Sequence, residues 1–207
     1  MKSRRWKRRF KRRILLAIGA VLLICGSVGA TMAYFTSTTS LTNAFTVGHV
    51  SITLDEARVD ADGEKIADAP RVTGNAYKLV PGRAYDKDPT VHLRGGSEAS
   101  YLFVRVTNGI AGIESAAAGD RRIADQILDN GWMRFREDMY YQDVPAPGAD
   151  DVDYPVFARY AIDGTVGNAA LAAYAGATIE VTAYAVQKGG FEDADAAWNA
   201  TFGAPAP

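Results

Sequence analysis

From Val47 onward the chain alternates, with Val50, Ile52 and Leu54 on one side and Ser51, Thr53 and Asp55 on the other. A period of two with β-branched residues predicts a half-buried strand. Gly48 stands between two apolar phases, Phe45 with Val47 and then Val50 with Ile52, and predicts a bulge or bend. Asp60-Ala61-Asp62-Gly63-Glu64 reads as a turn, and residues 77–82 as a short strand ended by Pro81-Gly82. Residues 91–94 form another strand closed by Gly95-Gly96. Residues 101–108, YLFVRVTN, are apolar on both faces at their start, which predicts a strand in the middle of a sheet.

Helical spacing enters at residues 120–130, where Ile123, Ile127 and Leu128 share a face, an Asp precedes them and Gly131 follows. Strands are predicted over 132–135, 140–144 and 157–162, between Pro-, Gly- and Asp-rich loops. One or two helical turns follow at 168–174. Residues 178–187 are a strand with Ile179, Val181, Ala183 and Ala185 on one side, and 192–200 a helix with an acidic first turn. Many short strands with turn signals between them predict a mainly β chain, a β-sandwich with short helical insertions.

The N-terminus follows a different pattern. Residues 1–13 hold nine Lys or Arg and no acid, an apolar run extends from Ile14 to about Ala30, and Gly29-Ala30-Thr31-Met32-Ala33 is a small-residue exit. These are the three parts of a secretory signal, here over residues 1–33 with a hydrophobic helix at its centre, and the cut is expected between Ala33 and Tyr34. An uncleaved signal-anchor is the alternative, since a span needs roughly 20 apolar residues. The basic cluster would then stay in the cytoplasm, so the domain lies outside in both cases. A twin-arginine reading of Ser3-Arg4-Arg5 lacks the apolar pair after the arginines, and a lipobox at Cys25 is opposed by the large Ile24.

Export changes the charge balance. Nine of the 23 basic residues precede Ile14, leaving 14 against 24 acidic ones. Such an acidic domain repels nucleic acid and anionic lipid, so no nucleic-acid partner is expected and membrane contact only through the N-terminal segment. Cys25, the single cysteine, belongs to the leader, so the exported part has neither disulfide nor thiolate chemistry. A chain of this size can bury a sufficient core without such staples, as one domain over 47–207.

No catalytic constellation emerges. His49 and His92 are the two histidines, and neither sits in an HExxH helix or beside an acid at metal-ligand spacing. No GxSxG elbow is present. Asp60, Asp62 and Glu64 resemble part of a calcium loop, but Arg58 stands at the first ligand position, so a hairpin turn is the better reading. Asp150, Asp151 and Asp153 read as a solvated loop, and Asn199-Ala200-Thr201 matches a glycosylation sequon. No cofactor or metal is expected, and the Tyr and Trp residues read as core.

Four segments in order carry a resemblance. Gly29-Ala30-Thr31-Met32-Ala33-Tyr34-Phe35-Thr36 resembles the signal junction of the TasA/camelysin family, whose members use a SipW-type signal peptidase. Ser37 and neighbouring Thr residues replace the acid usual after the Phe-Thr. Asn43-Ala44-Phe45-Thr46-Val47-Gly48-His49-Val50-Ser51-Ile52 is similar to the family's first-strand segment. Leu79-Val80-Pro81-Gly82 with Lys87-Asp88-Pro89-Thr90-Val91 resembles its turn and following strand, and Ala183-Tyr184-Ala185-Val186-Gln187 with Phe191 and Ala197-Trp198 its ending. Residues 111–177 match no part of the pattern.

The resemblance implies a jelly-roll-like antiparallel β-sandwich and a structural role at the bacterial cell surface or in extracellular matrix. It also implies fibres in which the N-terminal arm of one subunit completes the sheet of the next, so the partners are signal peptidase during export and then self or a related matrix subunit. Residues 34–46 suit such an arm: a Thr-rich extended segment with Phe35, Leu41 and Phe45 as anchors can add to an exposed sheet edge. An arm folded back on its own domain is the alternative for this segment. Two other classes stay open, a camelysin-like secreted metallopeptidase, for which only two isolated histidines are at hand, and a monomeric surface adhesin.

Overall fold

The computed structural model describes residues 36–38, 41–47, 49–117 and 119–203. The expected signal helix, the cleavage pair Ala33 and Tyr34, the anchor Phe35 and the bend at Gly48 lie outside these residues.

The described chain is mainly β. Its strands are β1 (Thr36–Thr38), β2 (Leu41–Val47), β3 (Ile52–Asp55), β4 (Ala76–Lys78), β5 (Ala84–Asp86), β6 (Thr90–Leu93), β7 (Ser100–Asn108), β8 (Met133–Arg136), β9 (Met139–Val144), β10 (Val152–Pro155), β11 (Arg159–Ala161) and β12 (Ile179–Gln187). Three α-helices intervene, α1 (Ile123–Asp129), α2 (Asn168–Ala172) and α3 (Ala194–Phe202), with a 3-10 turn at Ala111–Ile113. The largest sheet has the order β2-β12-β7-β9-β8, a second runs β10-β6-β3, and β1-β4 and β11-β5 form two-stranded pairs.

β7 is the middle strand of the large sheet, as its two apolar faces require. Its alternate residues serve two different layers. Val104 lies opposite Ala183 of β12 and Leu102 opposite Ala185, all four fully buried. The other face carries Tyr101, Phe103 and Val186 against Ala194, Ala197 and Trp198 of α3. That helix starts where its capping residue allows: Asp193 accepts a hydrogen bond from the Ala196 backbone N–H at 2.7 Å, one turn into the helix. Phe103 and Trp198 meet edge to face with ring centroids 4.9 Å apart, so the helix is pinned to the sheet by aromatic contact as well as by burial.

Helix α1 begins later than its sequence signals indicate. Asp120 is occupied by the Ser115 hydroxyl at 2.6 Å, and the first helical N–H, that of Ile123, is satisfied at 3.0 Å by the distant carboxylate of Glu114. A tertiary partner thus sets this helix end in place of a local cap. Trp132 follows, buried, with its indole N–H donating to the Pro155 carbonyl at 2.9 Å.

Two strands go beyond the sequence expectations. β5 is only three residues long and pairs with β11, and β10 occupies the segment read as a solvated acidic loop. Asp153 is therefore a strand residue facing His92 of β6 in register. The 60–64 segment does form the expected hairpin turn, with Val59 bridged to Lys65 and Gly63 at φ +78°. A Cβ at Gly63 would fall 2.3 Å from Cδ1 of Tyr85, so both backbone and space demand glycine there.

Candidate functional site

Among the described residues every ladder between named strands is antiparallel except one, and that exception involves the N-terminal arm. β2 pairs parallel with β12, Leu41 opposite Val181, Thr42 opposite Thr182, Phe45 opposite Tyr184 and Val47 opposite Val186. The register shifts between Thr182 and Tyr184. A parallel neighbour cannot be reached by a tight hairpin, which explains why β2 and β12 come from opposite ends of the domain. In the single chain the arm thus lies on its own domain, as the edge strand of the large sheet. Without it, β12 would present an open edge, apolar or Thr at every position from Val181 to Val186 that pairs with the arm except Tyr184. Just upstream, β1 pairs with β4, Thr36 opposite Lys78 and Thr38 opposite Ala76.

Next to β4 lies the most unusual polar group of the domain. Glu56 and Lys87 are both fully buried and meet at 2.5 Å between Oε2 and Nζ. The other carboxylate oxygen of Glu56 accepts from Nδ2 of Asn75 at 2.8 Å. Asn75 Nδ2 also donates to the Ala57 carbonyl at 2.8 Å, and its Oδ1 accepts from the Val59 N–H at 3.1 Å. Burial pushes the Lys87 ammonium below its ordinary pKa, with Glu56 acting in the opposite sense.

Three tyrosines share this region. Tyr77, Tyr85 and Tyr160 are almost completely buried, with Tyr85 stacked on Tyr160 at 5.0 Å and Tyr77 edge-on to both. Burial pushes the Tyr77 and Tyr160 hydroxyls above the usual phenol range. Two of the three hydroxyls serve the backbone: Tyr77 donates to the Asp86 carbonyl at 2.9 Å, and Tyr85 donates to the Lys78 carbonyl while accepting from the Val80 N–H.

The Lys87-Asp88-Pro89 run therefore divides its labour. Lys87 turns inward to Glu56, while Asp88 accepts from the Ala57 N–H at 2.6 Å and pairs with Lys65 and Arg71. Arg71 also binds Asp55 through Nε, and through Nη2 it donates to the Asp88 carbonyl and the Thr90 hydroxyl. Asp55 in turn reaches His92 Nε2 at 2.8 Å, and His92 Nδ1 reaches Asp153 at 2.6 Å. Burial disfavours the charged imidazole, but hydrogen bonds to Asp55 and Asp153 outweigh it and hold the pKa above its ordinary value.

His92 lies on a strand as its sequence context indicates, yet it does have acidic neighbours, contrary to the linear reading. They come from 37 and 61 residues away, beyond any spacing rule. His49 is exposed in a bend, and the two histidines serve different surroundings. Among the described residues no group of three or more His, Cys, Asp or Glu is placed to hold a metal ion. Asn199 of the sequon lies in α3 and accepts from Arg136 at 3.2 Å. Of the expected arm anchors, Leu41 and Phe45 both lie in β2.

Two surface clefts, of about 120 and 190 Å³, are lined by Asp120, Gln126 and Arg159, and by Asn108, Glu114 and Arg122. Both fall below the several hundred Å³ that small-molecule sites occupy. Among the described residues no helix is long and apolar enough to cross a membrane. No protein-family model, curated protein or solved structure matches the chain.

Proposed function

We propose that this chain is an exported structural protein of the bacterial cell surface or extracellular matrix, of TasA type, which assembles into fibres by N-terminal strand donation. The observation that carries the reading is the parallel pairing of Leu41–Val47 on β12 at the rim of the large sheet. The same backbone hydrogen bonds are available whether the strand comes from its own chain or from a neighbour. Exchange therefore costs little in contacts and links subunits head to tail. Signal peptidase cleavage between Ala33 and Tyr34 would free the arm that begins with Tyr34.

In this reading the domain is a jelly-roll-like sandwich. Support comes from β3, which belongs to the β10-β6-β3 sheet yet lies against both β12 and β2 of the large sheet. The partner is a second copy of this chain or a related subunit. The acidic balance of the exported part supports neither nucleic acid nor an anionic membrane surface as a partner.

The test is sedimentation with electron microscopy on purified residues 34–207, starting from monomer, beside a chain lacking residues 34–46. Filaments from the first and folded, non-polymerising protein from the second are expected. Polymers that survive loss of the arm would sink the proposal.

A further inference from the structure

We propose that Lys87 and Asn75 join through an intramolecular isopeptide bond, with Glu56 moving the protons of the reaction. One carboxylate holds both reacting nitrogens. Glu56 Oε2 touches Lys87 Nζ at 2.5 Å while Oε1 touches Asn75 Nδ2 at 2.8 Å, so nucleophile and leaving group are bound to the same proton carrier.

The remaining contacts suit the same step. The Val59 N–H donates to Asn75 Oδ1 at 3.1 Å, where it polarises the carbonyl and would stabilise the negative charge that develops on attack. The second Asn75 Nδ2 proton is held by the Ala57 carbonyl at 2.8 Å, which fixes the plane of the amide. Lys87 and Glu56 are fully buried, so water does not compete with the amine, and burial favours the neutral, nucleophilic form of Lys87.

The atoms balance without an outside reagent. A proton passes from the Lys87 ammonium to the Glu56 carboxylate, leaving a free amine and a carboxylic acid. The amine lone pair attacks Cγ of Asn75, forming the Nζ–Cγ bond. Glu56 gives its proton to Nδ2 and takes one from Nζ, the Cγ–Nδ2 bond breaks, and ammonia leaves. Ammonia carries the last proton away as ammonium, and Glu56 is again a carboxylate. Nothing is oxidised or reduced. The product ties Asn75, the residue before β4, to Lys87, the residue after β5. Since β4 carries β1 of the arm, the cross-link would fasten the strand that receives the start of the arm.

The experiment is peptide mass analysis of the folded, exported full-length protein after trypsin. The cross-link predicts a branched species joining the 72–78 and 84–94 peptides, uncleaved after Lys87, and lighter than their sum by one ammonia, about 17 Da. Glu56→Gln, which keeps the size and hydrogen bonding of the side chain but not its proton transfer, should give the two linear peptides instead. Wild-type protein that melts cooperatively yet yields linear peptides cut after Lys87 would overturn the proposal. So would a branched species that persists in Glu56→Gln, or a link from Lys87 to Glu56 with loss of water, about 18 Da.

Discussion

Lys87 and Glu56 meet at 2.5 Å with neither side chain exposed, and their contact fastens the segment after β3 to the segment before β6. A buried pair of this kind offers little net stability relative to well-packed apolar residues, but loss of one member leaves the other charged and unpaired. Lys87→Met is therefore expected to lower stability by about 3–5 kcal/mol, and adding Glu56→Leu to recover only the part due to the stranded carboxylate, since the proposed Lys87–Asn75 link is lost in both. Urea denaturation at neutral pH checks both. A harmless Lys87→Met would mean that Glu56 finds another partner.

The His92 clamp predicts a pH dependence with a definite sign. The folded pKa of His92 lies above its ordinary 6.5, so its contribution is complete below 6.5 and is lost as pH rises through the raised folded value. Asp55 behaves oppositely. Burial opposes its ionisation, but Arg71 and His92 outweigh it and hold its pKa below 3.8. Its contribution is present above 3.8 and is lost as pH falls through the lowered value. The denaturation midpoint should therefore fall as pH climbs from about 6 to about 8, and His92→Gln should flatten that slope. An unchanged slope in the variant would remove His92 from the account.

Trp198 anchors α3 through Phe103, Phe135 and Tyr184, with ring centroids between 4.9 and 5.9 Å. Trp198→Ala should cost about 3–5 kcal/mol by opening a cavity under the helix. Near-ultraviolet circular dichroism and thermal melting would register it. Loss of the Asp193 cap in Asp193→Ala should cost only about 1 kcal/mol, which separates packing from capping in the same helix.

What the sequence discloses here follows from where the information resides. β12 and α3 show their periods plainly, because one face of each is buried, and β7 shows its central place because apolar residues on both of its faces are buried. β10 shows none: Val152, Asp153 and Pro155 are exposed, and the strand exists because its backbone pairs with β6 and Asp153 meets His92. β5 is too short for any period. The Lys87-Asp88-Pro89 run is visible as a motif, but its chemistry depends on Glu56 and Asn75, brought together only by the fold. The arm is legible as an extended segment. Its parallel seat on β12 is not, since pairing direction is a property of the route the chain takes.

The most direct test of strand donation uses the register Thr42 opposite Thr182. Residues 34–207 contain no cysteine, so Thr42→Cys and Thr182→Cys can be introduced into separate chains of that span, mixed as monomers and allowed to assemble before oxidation. Disulfide-linked heterodimers confined to the sedimented filaments are the result predicted here, because the arm of one copy must then lie on β12 of another. Filaments without that heterodimer, combined with efficient cross-linking within single chains that carry both changes, would show an arm that never leaves its own domain and would contradict the account.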